Sequence, residues 1–488
     1  MRKAFSEQQR LDCRSVLDVE LNLECRDEMI PILRAIQHIY GQPKLCKQIL
    51  ELIAEDVNQD ACPDLGRRGM DYWQILVLAA VRLGCNFNYD RLQDLAENHA
   101  ALRHIMGVGD WRQDVDFNSR RIRDNVCLLK PTTIEKISQA IVAEGHHLEP
   151  EAAEQLRADF FVVETNIHWP SESSLIRDGI RKILELCVLI DSVLHKGGWR
   201  QADHLLKQIK KLARNIDRIA AKKGGKYQER LKHEYSLLLD ESGKIMSRAE
   251  RLLHAAEASK QPALAAQAAQ LRGFLERTEQ VRDTARRRVL NGETVPNLEK
   301  LFSIFEPHTQ LYKRGKAGEP VQFGRMALVY EDAAGFIAHA YVLGRDELER
   351  DTIIPQTKMA KKLLKGKLKG VSFDRGCHSP ENQIGLAALL EEPCLPMPGI
   401  KQAAEQERTA TVSFRHARRH HPGVESAIGA LQFGNGLERC RDRTDVGLKR
   451  YVALGVLGRN LHVLGKLLIA REDSASEAAR SKRKRRAA

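Results

Sequence analysis

The sequence predicts an α/β protein: a mixed sheet flanked by helices, with a helical region before the sheet and a long helical insertion within it. Short runs of β-branched and aromatic residues, typical of strands, occur at residues 158–165 and return only after residue 320. Between these runs, and also before residue 150, apolar residues recur at helical spacing. The first strand is therefore separated from its sheet partners by helices.

The charge of the chain indicates its partner. There are 78 Lys and Arg against 65 Asp and Glu, a formal net charge of +13. Such an excess favours a polyanion, either nucleic acid or an anionic membrane. The most apolar stretch, residues 451–470, contains Arg459, His462 and Lys466, which are too costly for a lipid-facing helix and favour a buried amphipathic one. We therefore expect nucleic acid and no membrane.

Cysteine usage and the N-terminal sequence suggest a compartment. The start, MRKAFSEQQRLDCRSVLD, lacks the apolar run of a secretory signal. Ten cysteines are scattered without a CxxC pair, so neither a zinc ribbon nor a disulfide scaffold is indicated. Reduced thiols in a cytoplasm fit this pattern best.

Length and the shifts in pattern divide the chain into four parts. At about 150 residues per domain, 488 residues suggest two to four domains. We expect a helical DNA-binding or dimerisation domain over residues 1–150, an α/β domain over 151–171 and 296–470, and a helical insertion over 172–295. The polar, basic end over 471–488 is predicted to be disordered.

The helices before residue 150 have two interpretations. Small helical units on a basic chain often place one helix in the major groove of DNA. A packing or dimerisation module explains the same pattern equally well. If the region reads DNA, its candidate contacts are Arg67, Arg68, Arg82, Arg91 and Arg103.

The insertion has an apolar seam and a basic face. Apolar residues step by four and three at positions 205, 209, 212, 216 and 219, an a/d pattern that predicts packed helical hairpins. Between residues 200 and 232 there are eleven Lys or Arg against three acids. We predict phosphate contacts here, with a solvated helix face as the alternative. The predicted phosphate contacts are Lys207, Lys210, Lys211 and Arg214.

The remaining strands follow residue 320. VQFGRMALVYEDAAGFIAHAYVLG predicts a hairpin, since two apolar runs flank EDAAG. TKMAKKLLKGKLK predicts a short basic helix, GVSFD a strand, PENQIGLAALLEE a helix and PCLPM a further strand. HPGVESAIGALQFGNGL predicts a helix that ends at its glycines.

Three acids mark a candidate site. Asp159 lies at the start of the first strand, Asp374 ends GVSFD before a turn, and Glu425 lies early in the last of these helices. If the two strands are neighbours in the sheet, the acids can meet at one edge. Clustered carboxylates repel one another unless a cation is present, and they suit Mg²⁺ or Mn²⁺. By spacing alone, each acid could equally be a cap or turn residue.

The sequence also resembles a known family in several blocks. FVVETNIHWPSESSLIRDGIRK (161–182) resembles the block around the first Asp of the DDE transposases of bacterial insertion sequences, particularly the ISNCY-type group. SFDRGCHSPENQ (372–383) resembles the block of the second Asp, and HPGVESAIGALQFGNGLERC (421–440) that of the catalytic Glu. Residues 67–83, 305–325 and 450–465 are similar to further blocks in the same order.

The resemblance implies a fold, an activity and a set of site residues. The α/β part would be an RNase H-like catalytic domain, with Asp159, Asp374 and Glu425 as catalytic residues and as ligands of Mg²⁺ or Mn²⁺, two ions per site. The protein would be a cytoplasmic bacterial enzyme, nucleoid-associated when bound to DNA. It would cleave double-stranded DNA at transposon ends, transfer the strands to target DNA and act as a homo-oligomer. Independently of the resemblance, Arg418 and Arg419 beside His420 and His421 predict a phosphate-binding patch, with a solvated loop as the alternative. Arg375 is a further expected DNA contact.

The chain departs from the family pattern at several positions. Trp169 replaces the usual Tyr, Glu172 the usual Asp, and Cys377 the usual aromatic residue. Of a Tyr–Arg–Glu–Lys signature found in related groups, only Glu425 matches. Glu438 remains the main rival as third ligand.

The sequence also allows another acid near the site and two alternative functions. Glu164 is five residues after Asp159, so it points to the opposite face of a strand. With Thr165, Asn166 and His168, it could line the rim of the site. A nuclease of similar fold without strand transfer and a non-catalytic DNA-binding derivative are the two alternative functions.

Overall fold

The computed structural model describes residues 2–5, 11–58, 69–111, 117–222, 224–259, 261–313, 320–345, 347–399 and 403–487. Arg67 and Arg68, two of the predicted DNA contacts, lie outside this range. The helices in chain order are α1 (Met29–Tyr40), α2 (Pro43–Asn58), α3 (Tyr72–Gly84), α4 (Tyr89–Asn98), α5 (Ala100–Ile105), α6 (Ser119–Val126), α7 (Pro131–Leu148), α8 (Glu172–Leu194), α9 (Ala202–Lys222), α10 (Tyr227–Ala258), α11 (Pro262–Ala285), α12 (Glu349–Leu363), α13 (Pro380–Leu389), α14 (Ala403–Ala410), α15 (Val412–His420), α16 (Gly423–Gly429) and α17 (Asp445–Ala487). The strands are β1 (Gln155–Thr165), β2 (Gln310–Tyr312), β3 (Gln322–Asp332), β4 (Ile337–Val342), β5 (Gly370–Ser372) and β6 (Arg439–Cys440).

The chain forms two compact units. Residues 1–164 and 325–488 make the first, and residues 165–324 make the second. The helices before residue 150 therefore share a compact unit with the sheet. The four-part division into functional domains stays a prediction, because compactness alone does not assign roles.

A six-stranded mixed sheet flanked by helices confirms the predicted α/β class. The strand order is β2-β3-β1-β5, with β4 also paired to β3 and β6 to β1. β3 and β4 are antiparallel, which confirms the hairpin, and a β-bulge interrupts their register between Tyr330 and Glu331. β1 and β5 are parallel neighbours, with Arg157 opposite Ser372. The two strands expected to carry the aspartates are therefore adjacent.

Two of the predicted strands are shorter than expected. GVSFD is a strand only over Gly370–Ser372, so Asp374 follows the strand and does not end it. PCLPM contributes only an isolated parallel bridge between Ser372 and Cys394. The prolines at 393, 396 and 398 explain this, because proline has no backbone N–H to donate to a sheet.

Helix α17 is the core of the first unit, and α1, α3 and α7 pack against it. By length and composition, Asp445–Ala478 is the one helical stretch in the described chain that could cross a membrane, but 72% of its apolar window is buried inside the structure. This fits the buried helix expected from Arg459, His462 and Lys466. Gly458 lets the helix approach α3 closely, since a Cβ there would lie 2.5 Å from the backbone of Gly84.

The basic end of the chain differs from its prediction. Helix α17 continues to Ala487, so residues 471–487 are helical and the prediction of disorder was wrong for them. The sequence SASEAARSKRKRR is rich in Ala, Arg and Lys, which are strong helix formers. Added to a long buried helix, they extend it without a new nucleation step.

The second unit is built on four helices, α8 to α11, around a continuous apolar core. Its first helix begins at Glu172 after a capping box on Ser171. Ile209 and Ile216 of the a/d seam are fully buried, and Leu205 and Leu212 pack against the same core. The seam is therefore confirmed at four of its five predicted positions, and it buries one side of α9 within this unit.

Candidate functional site

Strand β1 begins at Gln155, earlier than predicted, so Asp159 lies within the strand and not at its start, on the half-exposed face. Residues alternate across a strand, so Arg157 and Asp159 share one face while Leu156, Ala158 and Phe160 are buried on the other. The side chain of Asp159 accepts a hydrogen bond of 2.7 Å from the backbone N–H of Phe160. The carboxylate is thus held close to its own backbone at the surface of the sheet.

Asp374 lies beside Asp159 through the register of the two parallel strands. Arg157 is opposite Ser372, and each aspartate lies two residues beyond a member of that pair. The observed pairing ends at Arg157 and Ser372, and both aspartates lie close enough to act electrostatically on the Cys377 thiol and on the His421 imidazole. Asp374 precedes a 3₁₀ turn over Arg375–Cys377, which leaves its side chain exposed at the end of β5.

Glu425 joins the aspartates through the corner between α15 and α16. His421 lies at this corner, and its Nδ1 is 3.1 Å from Ser372 Oγ on β5. Burial lowers the pKa of His421, whereas the carboxylates of Asp159, Asp374 and Glu425 act in the opposite direction. All three acids are therefore within electrostatic reach of one imidazole, and Glu425 is exposed in the first turn of α16.

A fourth carboxylate approaches the site from α12. Burial raises the pKa of the Cys377 thiol, and the charges of Asp159, Glu349 and Asp374 raise it further. Glu349 is the first residue of α12 and is half-buried. Sequence reasoning missed it, because a glutamate at a helix start normally indicates only a favourable helix dipole.

The two rival acids lie elsewhere. The Glu164 carboxylate pairs with Arg439 Nη2 at 3.1 Å. Its backbone N–H donates to the carbonyl of Glu438, which places Glu438 beside the far end of β1. Five residues along a strand separate this end from Asp159 by about 16 Å. Glu164 and Glu438 therefore lie away from Asp159, and the role of Glu425 as a third ligand stays a prediction.

The structure also locates the other rim residues. Thr165 Oγ1 lies 2.9 Å from Thr309 Oγ1, and His168 Nε2 lies 3.2 Å from Ser174 Oγ, all within the second unit. Asn166 is exposed in the same unit. Their role as the rim of a catalytic site stays a prediction.

The chemistry of the donors fits a hard divalent cation, although the side chains are not arranged around one. Within the described residues, no group of three His, Cys, Asp or Glu side chains stands close enough to hold a metal ion. The candidate ligands are nevertheless all carboxylates, as Mg²⁺ and Mn²⁺ prefer. Asp374 and Glu425 are exposed, so their rotamers have room to change. The site is open, and a cavity of about 530 Å³ lined by α7, β4 and α17 contains none of the three acids.

The basic residues predicted to bind DNA have different environments. Arg375 and Arg419 are exposed in the first unit, and Arg418 is half-buried on α15. In the second unit, Lys207, Lys211 and Arg214 are exposed on α9 and Lys210 is half-buried. These side chains are accessible to a polyanion, and whether they bind one stays a prediction.

Two of the N-terminal candidates cannot contact DNA as proposed. Arg82 is buried and paired with Asp442, with Nη2 and Oδ1 2.5 Å apart. Arg103 is buried and donates to backbone carbonyls, including those of Gly109 and Trp111. A guanidinium can satisfy buried carbonyls as well as phosphates, so the residue type alone did not distinguish the two roles. Arg91 remains exposed.

Comparison with known proteins adds no relative: no protein-family model, curated protein or solved structure matches this chain.

Proposed function

We propose that the chain is an insertion-sequence transposase of the DDE class with an RNase H-like catalytic domain. It would bind the terminal inverted repeats of its element, hydrolyse a phosphodiester at each end and join the freed 3′-OH to target DNA. The observation that supports the proposal most is the parallel pairing of β1 and β5: both aspartates lie two residues beyond the paired residues Arg157 and Ser372. Glu425 acts on the same imidazole as both aspartates.

Asp159, Asp374 and Glu425 would hold the divalent ions, Mg²⁺ or Mn²⁺, two per site. Bound there, such ions supply activation of an attacking oxygen and stabilisation of a leaving oxygen. Without a cation, three carboxylates would repel the phosphates of an approaching duplex. The acids therefore make chemical sense at a DNA surface only as cation ligands.

The residues around the acids supply the remaining functions. The surface around Asp159, Asp374 and Glu425 is open, so it admits a polymer that an enclosed pocket would exclude. Arg375 directly follows Asp374, and Arg418 and Arg419 lie in the last turn of α15, which ends at His420. Guanidinium groups bind phosphates bidentately, so these side chains would hold the backbone beside the scissile bond.

Recognition of the DNA ends and assembly of the protein would depend on other parts of the chain. Metal–carboxylate chemistry reads no bases, so end recognition needs another part of the chain, and base edges are read mainly by helices in the major groove. The N-terminal helices and the basic face of α9 are the candidates. Because an element has two ends, we propose that the protein acts as a homo-oligomer on DNA.

The experiment is a cleavage and joining assay with the full chain. The substrate is a duplex copied from each border of the DNA segment that encodes the protein, incubated with Mg²⁺ or Mn²⁺ and a target plasmid. Asp159→Asn, Asp374→Asn and Glu425→Gln should each slow cleavage by about 10³-fold or more, because the ions supply several kcal/mol of transition-state stabilisation. DNA binding should persist.

Glu438→Gln is the matched control, since Glu438 is an exposed acid close in sequence to Glu425. It should cleave like the wild type. Cleavage without joining would replace the proposal with a nuclease, and specific binding without cleavage would replace it with a non-catalytic DNA-binding protein.

A further inference from the structure

A single guanidinium connects β1, β3 and the α15–α16 corner. Arg157 lies two residues before Asp159, on the same face of β1. Its Nε donates to Glu331 Oε2 on β3 at 2.5 Å. Its Nη1 donates to the backbone carbonyl of His420, the last residue of α15, at 3.2 Å. Arg157 thus bonds to both the sheet and the corner before α16.

The corner is shaped to receive this side chain. Gly423 is the first residue of α16, and a Cβ there would collide with Arg157 Nη1. The missing side chain lets the guanidinium lie directly against the backbone. Glu425 follows two residues later in the first turn of the same helix. Any shift of Arg157 would therefore move the backbone at Gly423, where the helical turn that carries Glu425 begins.

The other end of Arg157 is fixed by a buried charge. The side chain of Glu331 is only 3% exposed. Burial raises the pKa of Glu331, and the hydrogen bond and charge of Arg157 lower it, with a smaller contribution from Arg459. A buried carboxylate that loses its hydrogen-bonded partner is strongly destabilised. Glu331 therefore holds the guanidinium in place.

A second contact fixes the same corner to β5. His421 Nδ1 lies 3.1 Å from Ser372 Oγ, and Ser372 is the residue opposite Arg157 in the parallel pair. The corner is thus attached to β1 and β5 at one level of the sheet. Both aspartates lie two residues beyond that level.

We propose that Arg157 is a positioning residue that fixes Glu425 relative to Asp159 and Asp374, with Glu331 as its buried anchor. The assignment rests on the proposed function, because the three acids matter only if they act together. Arg157 touches no reacting atom in this account. It acts by setting where α16 begins.

The test uses single-turnover cleavage by the full chain at saturating DNA. Arg157→Gln should lower the rate by about 100-fold, the scale expected when a catalytic group is misplaced by about 1 Å, and leave the Kd for DNA unchanged. The cleavage rate of Arg157→Lys should lie between those of the wild type and Arg157→Gln. A lysine can pair with Glu331 but lacks the second planar donor for the carbonyl of His420. Gly423→Ala should lower the cleavage rate in the same way, because its methyl group displaces the Arg157 guanidinium. This substitution changes no charge.

A double-variant cycle separates positioning from a general structural role. If Arg157 acts only through Glu425, Arg157→Gln should cause no further loss in a Glu425→Gln background. An equal further loss in that background would overturn the assignment. Amide hydrogen exchange should also be faster at residues 421–427 in Arg157→Gln and unchanged in α7; unchanged exchange at 421–427 would overturn it too.

Two matched controls complete the design. Lys369→Gln breaks an exposed ion pair with Glu154 beside the same two strands, and Gly429→Ala adds a methyl group in open space on α16. Both should cleave like the wild type. A wild-type chain that does not cleave overturns the proposed function and the assignment together, whereas cleavage that Arg157→Gln leaves unchanged overturns the assignment alone.

Discussion

Asp159 and Asp374 occupy equivalent positions beyond a pair of residues that face each other across parallel strands. Arg157 on β1 is opposite Ser372 on β5, and both aspartates follow by two residues. The same pair fixes the corner that leads to Glu425, through the carbonyl of His420 and the ring of His421. The pair Arg157 and Ser372 thus fixes both the strands that carry the aspartates and the corner that leads to Glu425.

The basic face of α9 leads to a salt-dependence prediction. Replacing Lys207, Lys210, Lys211 and Arg214 together by Gln should weaken DNA binding and flatten its dependence on salt, because each phosphate contact contributes about 0.9 to the slope of log K against log salt. Affinity measured at several salt concentrations checks this. The control exchanges Lys for Arg and Arg for Lys at the same four positions and should keep the slope. An unchanged slope in the Gln variant would favour a solvated helix face.

Arg82 should be important for stability. Its side chain is 2% exposed and that of Asp442 8%. Arg82→Met leaves Asp442 buried without its partner, which should lower the free energy of unfolding by about 3–5 kcal/mol. Urea unfolding measures the change. Arg91→Gln, at an exposed arginine of the same region, should unfold like the wild type, and equal effects of the two substitutions would contradict the burial of Arg82.

His462 on α17 should make the protein less stable in acid. Burial lowers the pKa of His462 to about 4 from 6.5, and Lys466 and Arg459 add to the effect. Between these pH values the unfolded chain binds more protons than the folded chain, so stability is lost as the pH falls from about 6.5 to about 4.

The size of this effect is about 2–3 kcal/mol after allowance for partial exposure. His462→Gln should reduce the slope of unfolding free energy against pH in that window, relative to the wild type. His147→Gln, at an exposed histidine of the same unit, is the control and should keep the wild-type slope. Equal slopes in wild type and His462→Gln would contradict the prediction.

Local sequence patterns predicted the strands of the site better than the side-chain contacts between distant parts of the chain. The runs at 158–165 and 370–374 located both strands, because strand composition is a local property, but the strand bounds were less exact: Asp159 lies within β1 and not at its start. Glu331, the partner of Arg157, lies 174 residues further along the chain. Contacts at such separation depend on how strands are paired, which no local pattern specifies.

Helix packing was the other feature that the sequence left undetermined. The N-terminal helices pack on α17, more than 300 residues away in the chain. That packing explains why Arg82 and Arg103 are buried although their sequence context suggested a DNA-binding surface. The apolar seam of α9, by contrast, followed from spacing alone, since its partners belong to the same helical insertion.

The account depends most directly on whether Asp159, Asp374 and Glu425 bind the ions that cleave DNA, and a change of ligand atom tests this. Each acid is replaced singly by Cys, and cleavage of the border duplex is measured in Mg²⁺ and in Mn²⁺. A thiolate is a poor ligand for hard Mg²⁺ but is tolerated better by a transition metal. All three variants should be inactive in Mg²⁺ and partly active in Mn²⁺, while Asp159→Asn stays inactive in both and Glu438→Cys cleaves like the wild type in both. Full activity of any of the three Cys variants in Mg²⁺, or equal loss in both ions, would contradict the account.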